Sequence, residues 1–269
     1  MLEVKDIHAG YYRDINILQG VTLTAHTAKL TSIIGTNGVG KSTLLKTIYG
    51  FLPPNHGEVS WKGADITGAN PFKMPKLGLT YIPQRRNVFP DMTVEENLQL
   101  GAWTYKRDKK RIRKKLDENY ERFPVLKDRR KQKAGGFSGG QQRMVELGRA
   151  MMIDPELMLV DEPTAGLAPI VAHDIYTKLT ELKKEGITIL LVDQNIKQAI
   201  EVSDYVYALA LGKNMTEGPR EDFGNLKEQI KAWLADAELE EANAWMDMPQ
   251  CPHCGNVYRY NVRTEEVAK

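Results

Sequence analysis

Eight residues near the amino terminus, GTNGVGKS from Gly35 to Ser42, have types and spacing suited to holding phosphate. Gly35, Gly38 and Gly40 leave backbone amides free to converge on phosphate oxygens where a side chain would block the approach, and Thr36, Asn37 and Val39 complete the loop. Lys41 can reach the β and γ phosphates as a point charge, the Ser42 hydroxyl suits a magnesium ion, and Thr43 follows in the first helical turn. The flanks separate this from a merely flexible glycine turn: LTSII precedes it as an apolar strand, and Leu44, Leu45 and Ile48 behind it share one helical face.

Three further stretches carry chemistry. In ELMLVDEPTAG four apolar residues deliver Asp161 and Glu162 to the end of a strand. Asp161 is placed to hold magnesium through water, and Glu162 to orient and deprotonate an attacking water, since phosphoryl transfer needs positioning and charge control more than covalent chemistry. In FSGGQQRMVELGRAMM, Ser138 and Gln141 form a helix-opening box, Gly139 and Gly140 expose amides, and Met144, Leu147 and Met151 are expected on the buried face. Such a helix end is an anion site. Because the chain already has one in its phosphate loop, a second makes sense if it grips nucleotide held by another subunit. Lastly, GITILLVDQN reads as a core strand that turns polar at Asp193, Gln194 and Asn195.

These residues need a frame. LEVKDIHA alternates, ILQGVTLTA follows as a second strand, and after the phosphate loop the composition from about 85 to 150 becomes charged and helical, with a capping box at Thr93 and Glu96. Strands return at LMLV and ITILLV, separated by a helix pattern through Ile175, Leu179 and Leu182. Strands alternating with helices imply a parallel sheet covered on both faces, which binds ligands beyond the strands' carboxyl ends.

Composition is that of a soluble globular chain, 269 residues with 42% hydrophobic and 27% charged. The apolar runs fall far short of the roughly 20 residues a membrane helix needs, and MLEVKDIHAGYY lacks the pattern of a secretory signal, so a cytosolic location is expected. Residues 106–133 hold fourteen Lys or Arg against five Asp or Glu, plus nine, which leaves the remainder at minus seven. Helical spacing of Ile112, Leu116 and Tyr120 favours a solvated basic helix face; anionic headgroups or a partner are the alternative, and nucleic acid is not expected at a net charge of plus two.

The phosphate loop, the Ser-Gly-Gly-Gln segment and the Asp-Glu strand, in that order, resemble the ATP-binding subunits of ABC transporters over roughly residues 1–235. EPTAGLAPI and LLVDQN are most similar to the subunits that energise branched-chain amino-acid uptake. The resemblance implies an α/β fold: a P-loop NTPase core with a mostly parallel sheet, an amino-terminal antiparallel β subdomain and an inserted helical subdomain. It further implies MgATP as ligand and a head-to-tail dimer, homomeric or with a sister subunit, that sandwiches two ATP molecules. A separate membrane permease and, indirectly, a solute-binding protein would be partners, with the chain peripheral on the inner face of the membrane.

By the same resemblance Tyr11 stacks on adenine, with Tyr12 a substitute and a core tyrosine the alternative; Gln84 in YIPQ touches magnesium and links the site to the helical subdomain. Lys41, Glu162 and Gln194 would act on the γ phosphate. Gln194 stands where most members carry a histidine, and Ala168 where many carry an aspartate that communicates across the dimer. An amide donates a hydrogen bond but does not take a proton.

Residues 236–269 extend beyond the resemblance. A docking helix is expected with Leu226, Ile230, Trp233 and Leu234 on one face, and Cys251 and Cys254 in CPHCG look like one knuckle of a zinc ribbon. Structural zinc needs four ligands and His253 is poorly placed, so a site shared between two tails would complete the set; a reduced, silent pair is the alternative. A non-transport ABC ATPase acting on nucleic acid or ribosomes, and an ATPase regulated through a zinc-binding tail, are the competing functions.

Overall fold

A computed structural model describes residues 1–12 and 15–223, together with the backbone of three short strands nearer the carboxyl terminus. The chain divides into two compact units, Met1–Glu221 and Asp222–Lys269.

In the first unit β1 (Leu2–Ala9) and β2 (Leu18–Ala25) pair antiparallel. β3 (Leu30–Ile34), buried at every position, then leads through the glycine loop into α1 (Lys41–Ile48). β4 (His56–Trp61) and β5 (Ala64–Asp65) complete a four-stranded sheet in the order β2-β1-β4-β5. One face of β1 and β2 is apolar and the other wet, as their alternation requires, and that face packs with Leu44, Leu45 and Ile48 of α1.

β6 (Leu79–Ile82) opens the route to the helical insert: α2 (Val94–Gly101), α3 (Lys109–Arg122), α4 (Pro124–Asp128) and α5 (Gly139–Met151). β7 (Leu157–Asp161), α6 (Pro169–Lys184), β8 (Thr188–Val192), α7 (Ile196–Val202), β9 (Tyr205–Ala210) and β10 (Lys213–Pro219) follow. Six strands form one sheet in the order β10-β9-β3-β8-β7-β6, parallel from β9 through β6 and closed by the antiparallel β9–β10 hairpin. β3, β7 and β8 have every residue buried, and β7 and β8 carry the apolar runs Leu157–Val160 and Ile189–Val192 in place of alternation, while β3 buries Thr31 and Ser32 as well. Their carboxyl ends therefore lie side by side.

Among the described residues the expected elements form, including the capping box in which Thr93 Oγ1 accepts the Glu96 N–H. The sequence reading assigns no strand to 79–82 or 205–219, and the sheet places β6, β9 and β10 there. On α3, Leu116 and Tyr120 are buried and Ile112 is half-buried, while the basic residues lie mostly on the exposed side. Among the described residues no helix is long and apolar enough to cross a membrane.

In the second unit β11 (Trp245–Asp247), β12 (Arg259–Asn261) and β13 (Val267–Ala268) form a three-stranded antiparallel sheet. Cys251, His253 and Cys254, and the helix expected through Leu226, Ile230, Trp233 and Leu234, lie outside the described residues.

Candidate functional site

Four loops meet at the carboxyl edge of the six-stranded sheet: Gly35–Gly40 after β3, Pro83–Asn87 after β6, Glu162 onward after β7, and Asp193–Asn195 after β8. Register enforces this, because Ile33 pairs with Val192 and Val192 with Asp161. The Glu162 N–H donates to the Val192 carbonyl at 2.8 Å, which fixes the acidic turn to the neighbouring strand. Glu162 is held there with a left-handed φ of 41°.

Lys41, almost fully buried, donates from Nζ to the carbonyls of Gly35 at 2.9 Å and Thr36 at 2.8 Å, and lies 4.0 Å from Glu162 Oε1. Desolvation lowers its pKa against the opposing pull of Glu162, Asp161 and Asp193. The Ser42 hydroxyl donates to Asp161 Oδ1 at 2.8 Å, and the Tyr81 hydroxyl to Oδ2 at 2.9 Å. Gln84 Nε2 donates to Glu162 Oε2 at 2.7 Å. Burial raises the pKa of Asp161, Glu162 and Asp193 alike.

One buried ammonium thus faces three buried carboxylates. That surplus of negative charge, with a hydroxyl and a carboxylate oxygen already 2.8 Å apart, is an oxygen donor set that fits magnesium. The loop fits phosphate: Gly38 has φ 84°, and a Cβ added there would project into open space. Gly40, left-handed at φ 99°, opens α1 without a side-chain cap, leaving the first-turn amides for a ligand.

The structure brings Lys41, Ser42, Gln84, Asp161 and Glu162 together. Tyr11 is 52% exposed, so it is not a core residue; its hydroxyl meets Lys46 Nζ at 3.0 Å beside Thr43. Gln194 is exposed just past β8, and its side-chain amide makes no hydrogen bond among the described residues. Ser138, Gly139, Gly140 and Gln141 form the expected box, with Ser138 Oγ accepting the Gln141 N–H, but no hydrogen bond joins them to the phosphate loop. Ala168 caps α6 with no side-chain bond, which leaves that helix end uncapped where an aspartate would serve.

One expectation is corrected. Met144 is only half-buried, and the buried face of α5 carries Arg143, Val145, Glu146, Leu147 and Met151, because the helix is packed on one side by α2 and on another by the Gln84 loop. Sequence reasoning also passes over Tyr81, Tyr176 and Thr164 and takes Asp193 only as a polar strand end, whereas the Tyr176 hydroxyl donates to Asp193 Oδ2 at 2.8 Å in a buried trio with Thr164. Tyr81 lies inside YIPQ, so its motif is visible although its partner is not.

A model of the family described as ABC transporter matches residues 18–165. A probable branched-chain amino acid transport ATP-binding protein, LivF, of Archaeoglobus fulgidus is 39% identical over 79% of this chain and 89% of its own length. The high-affinity branched-chain amino acid transport ATP-binding protein BraG of Pseudomonas aeruginosa is 38% identical over 76% and 86%. Among solved structures, MJ1267, an ATP-binding cassette of an ABC transporter, superposes with a TM-score of 0.77 at 33% identity, covering 84% of this chain and 94% of that one. The ATP-binding cassette MJ0796, a dimer bound to ADP and phosphate, does so at 0.72 and 26%, covering 82% and 99%.

Proposed function

This chain belongs to the ABC transporter ATP-binding family, and from that membership we propose that it powers an importer for branched-chain amino acids or similar small solutes. The observation that carries the hydrolytic reading is the meeting of Lys41, Ser42, Gln84, Asp161 and Glu162 at one sheet edge. The solute class rests on the names of the relatives and on the likeness of EPTAGLAPI and LLVDQN.

In this reading ATP phosphates lie against the amides of residues 35–43, and Lys41 exchanges its carbonyl partners for phosphate oxygens. Tyr11, exposed beside α1, offers the adenine a ring face. Ser42 and Asp161, with Gln84, would hold magnesium, which supplies positive charge to the phosphate oxygens. Glu162 accepts a proton from water as the water oxygen bonds to the γ phosphorus and the bond to the ADP oxygen breaks. Gln194 donates to the γ phosphate without titrating.

The Gly139 and Gly140 amides of the Ser138–Gln141 helix end, which the capping box leaves without an acceptor in this chain, take the nucleotide of a second subunit, identical or sister. A groove of ≈ 440 Å³ near the Gln84 loop, lined in part by Phe89, Leu100 and Trp103, receives the permease. A solute-binding protein would act through that permease, and the chain would sit peripherally on the inner face of the membrane. The ATP-binding domain would run to about residue 235, with 236–269 appended.

Glu162→Gln tests the reading. Binding of labelled ATP should persist, phosphate release should fall by about a hundredfold or more, and size-exclusion chromatography with ATP should reveal a persistent dimer. Parental turnover in that variant overturns the assignment of Glu162. Uptake by vesicles carrying the cognate permease, scored across branched-chain and unrelated solutes, tests the solute class.

A further inference from the structure

A basic stretch of the helical insert takes no part in the nucleotide site. Between Lys106 and Lys114 seven Lys or Arg stand against one Asp, and each of the seven is exposed. Lys109, Lys110, Arg113 and Lys114 line one shallow surface of α3, which Asp117 and Glu121 continue toward its carboxyl end. Only part of this charge is answered within the chain. Arg111 lies 3.5 Å from Asp154, Arg113 3.9 Å from Asp117 and Lys114 3.8 Å from Glu118, whereas among the described residues Lys106, Arg107, Lys109 and Lys110 form no ion pair.

Helix stability does not account for this order. Partial positive charge gathers at the amino end of a helix, which favours acidic residues there and basic ones at the far end. On its exposed face α3 has the reverse: the first turn carries no acidic residue, Lys109 and Lys110 open it, and Asp117 and Glu121 come later. Asp108 already accepts the Arg111 N–H at 2.9 Å, so what the surface offers is side-chain charge and not free amides. Residues outside 106–133 sum to minus seven, so an anionic surface attracts this stretch and repels the remainder of the chain. Trp103, exposed, edge-on to Phe72 and lining the groove assigned to the permease, lies three residues before Lys106, within about 11 Å along the chain. Aromatic rings beside long cationic side chains suit a headgroup layer, where the rings stay half wet and the cations meet phosphate.

We propose that the exposed cations from Lys106 to Lys114 rest on anionic lipid headgroups beside the permease and so orient the first unit at the bilayer. The inference rests on the reading above that places the chain against a membrane permease. Nucleic acid would meet the same charges, but the polyanion next to a permease is the bilayer. Each cation brought to an anionic lipid surface strengthens binding about fivefold, and the attraction fades within roughly a Debye length, about 10 Å at 0.1 M salt.

The test uses the full chain and permease-free vesicles of phosphatidylcholine with or without phosphatidylglycerol, read by sedimentation at low salt. The parent should bind only the vesicles that contain phosphatidylglycerol and should leave them as salt rises. Lys109→Gln with Lys110→Gln should weaken that binding by about twentyfold. ATP turnover should not change, and the melting temperature should be no lower than the parent's, since the first turn of α3 loses charges that oppose its dipole. Lys184→Gln with Lys213→Gln removes the same net charge from exposed positions elsewhere on the first unit, and should bind within about twofold of the parent. A parent that ignores anionic vesicles, equal losses in the two double variants, or tighter binding to a short RNA duplex than to the vesicles each overturns the proposal. A parent that binds vesicles but neither binds nor hydrolyses ATP overturns instead the functional reading, and leaves the lipid-facing surface standing.

Discussion

At the scale of single residues the site is a compromise between charge and burial. Asp193 is buried, accepts from Tyr176 Oη and the Asn195 N–H, and has no ion-pair partner within 4.0 Å among the described residues. Burial raises its pKa, so between the ordinary carboxylate value and the raised one the folded chain binds more protons than the unfolded chain. Stability contributed by this group therefore falls as pH rises through that window. Asp193→Asn should melt above the parent at pH 7, with the advantage shrinking on acidification toward the ordinary carboxylate range, as followed by scanning calorimetry. Gln194 gives a contrasting expectation. Its amide is exposed and unbonded, so Gln194→Ala should leave the melting temperature and ATP affinity unchanged but slow hydrolysis by about a hundredfold. Gln194→His should add a rate dependence near pH 6.5 that the parent lacks. Normal hydrolysis by the alanine variant would reduce Gln194 to a polar strand end.

At the scale of elements, close approach of α5 to α6 decides what the Ser138 helix end tolerates. A Cβ on Gly140 would lie 2.2 Å from Val171 Cγ1, a stiff side chain on α6, whereas one on Gly139 would meet the mobile end of Arg86. Gly140→Ala should cost about 1–3 kcal/mol in urea unfolding, and Gly139→Ala clearly less; equal losses would show that Val171 yields freely. Local signals made much of this scale legible from sequence. Thr93 with Glu96 and Ser138 with Gln141 announce helix starts three residues apart, and LMLV and ITILLV announce buried strands by composition alone. The partners were not legible. Tyr81 and Asp161 stand 80 residues apart in the chain, Arg143 and the Pro83 carbonyl 60, so their bonds exist only once the sheet and insert have assembled. Arg143 and Glu146 even contradict the apolar rule for a buried helix face. Without the loop packed against them, periodicity favours Met144.

At the scale of the first unit, the groove that we assign to the permease adjoins the site through Tyr81 and Pro83 but reaches away from it to Leu100 and Trp103. Phe72 is 74% exposed and meets Trp103 edge-on at 6.3 Å, beside the groove that we assign to the permease. Phe72→Asp and Trp103→Glu should leave ATP hydrolysis by the isolated subunit within about twofold of the parent, since neither touches the site, yet abolish co-purification with the permease. Retained co-purification would move the docking surface elsewhere. The sheet order has a further consequence, in time. β3 starts at Leu30, but its two neighbours, β8 and β9, start at Thr188 and Tyr205, about 160 residues or more later in the chain. At roughly 5–20 residues per second that is an interval on the order of ten to thirty seconds. During it the glycine loop has left the ribosome while the strand that should brace it has no partner on either edge. Nucleotide can therefore be captured only after nearly the whole first unit has been made, and ATP binding by a nascent chain would mark the completion of synthesis of the sheet.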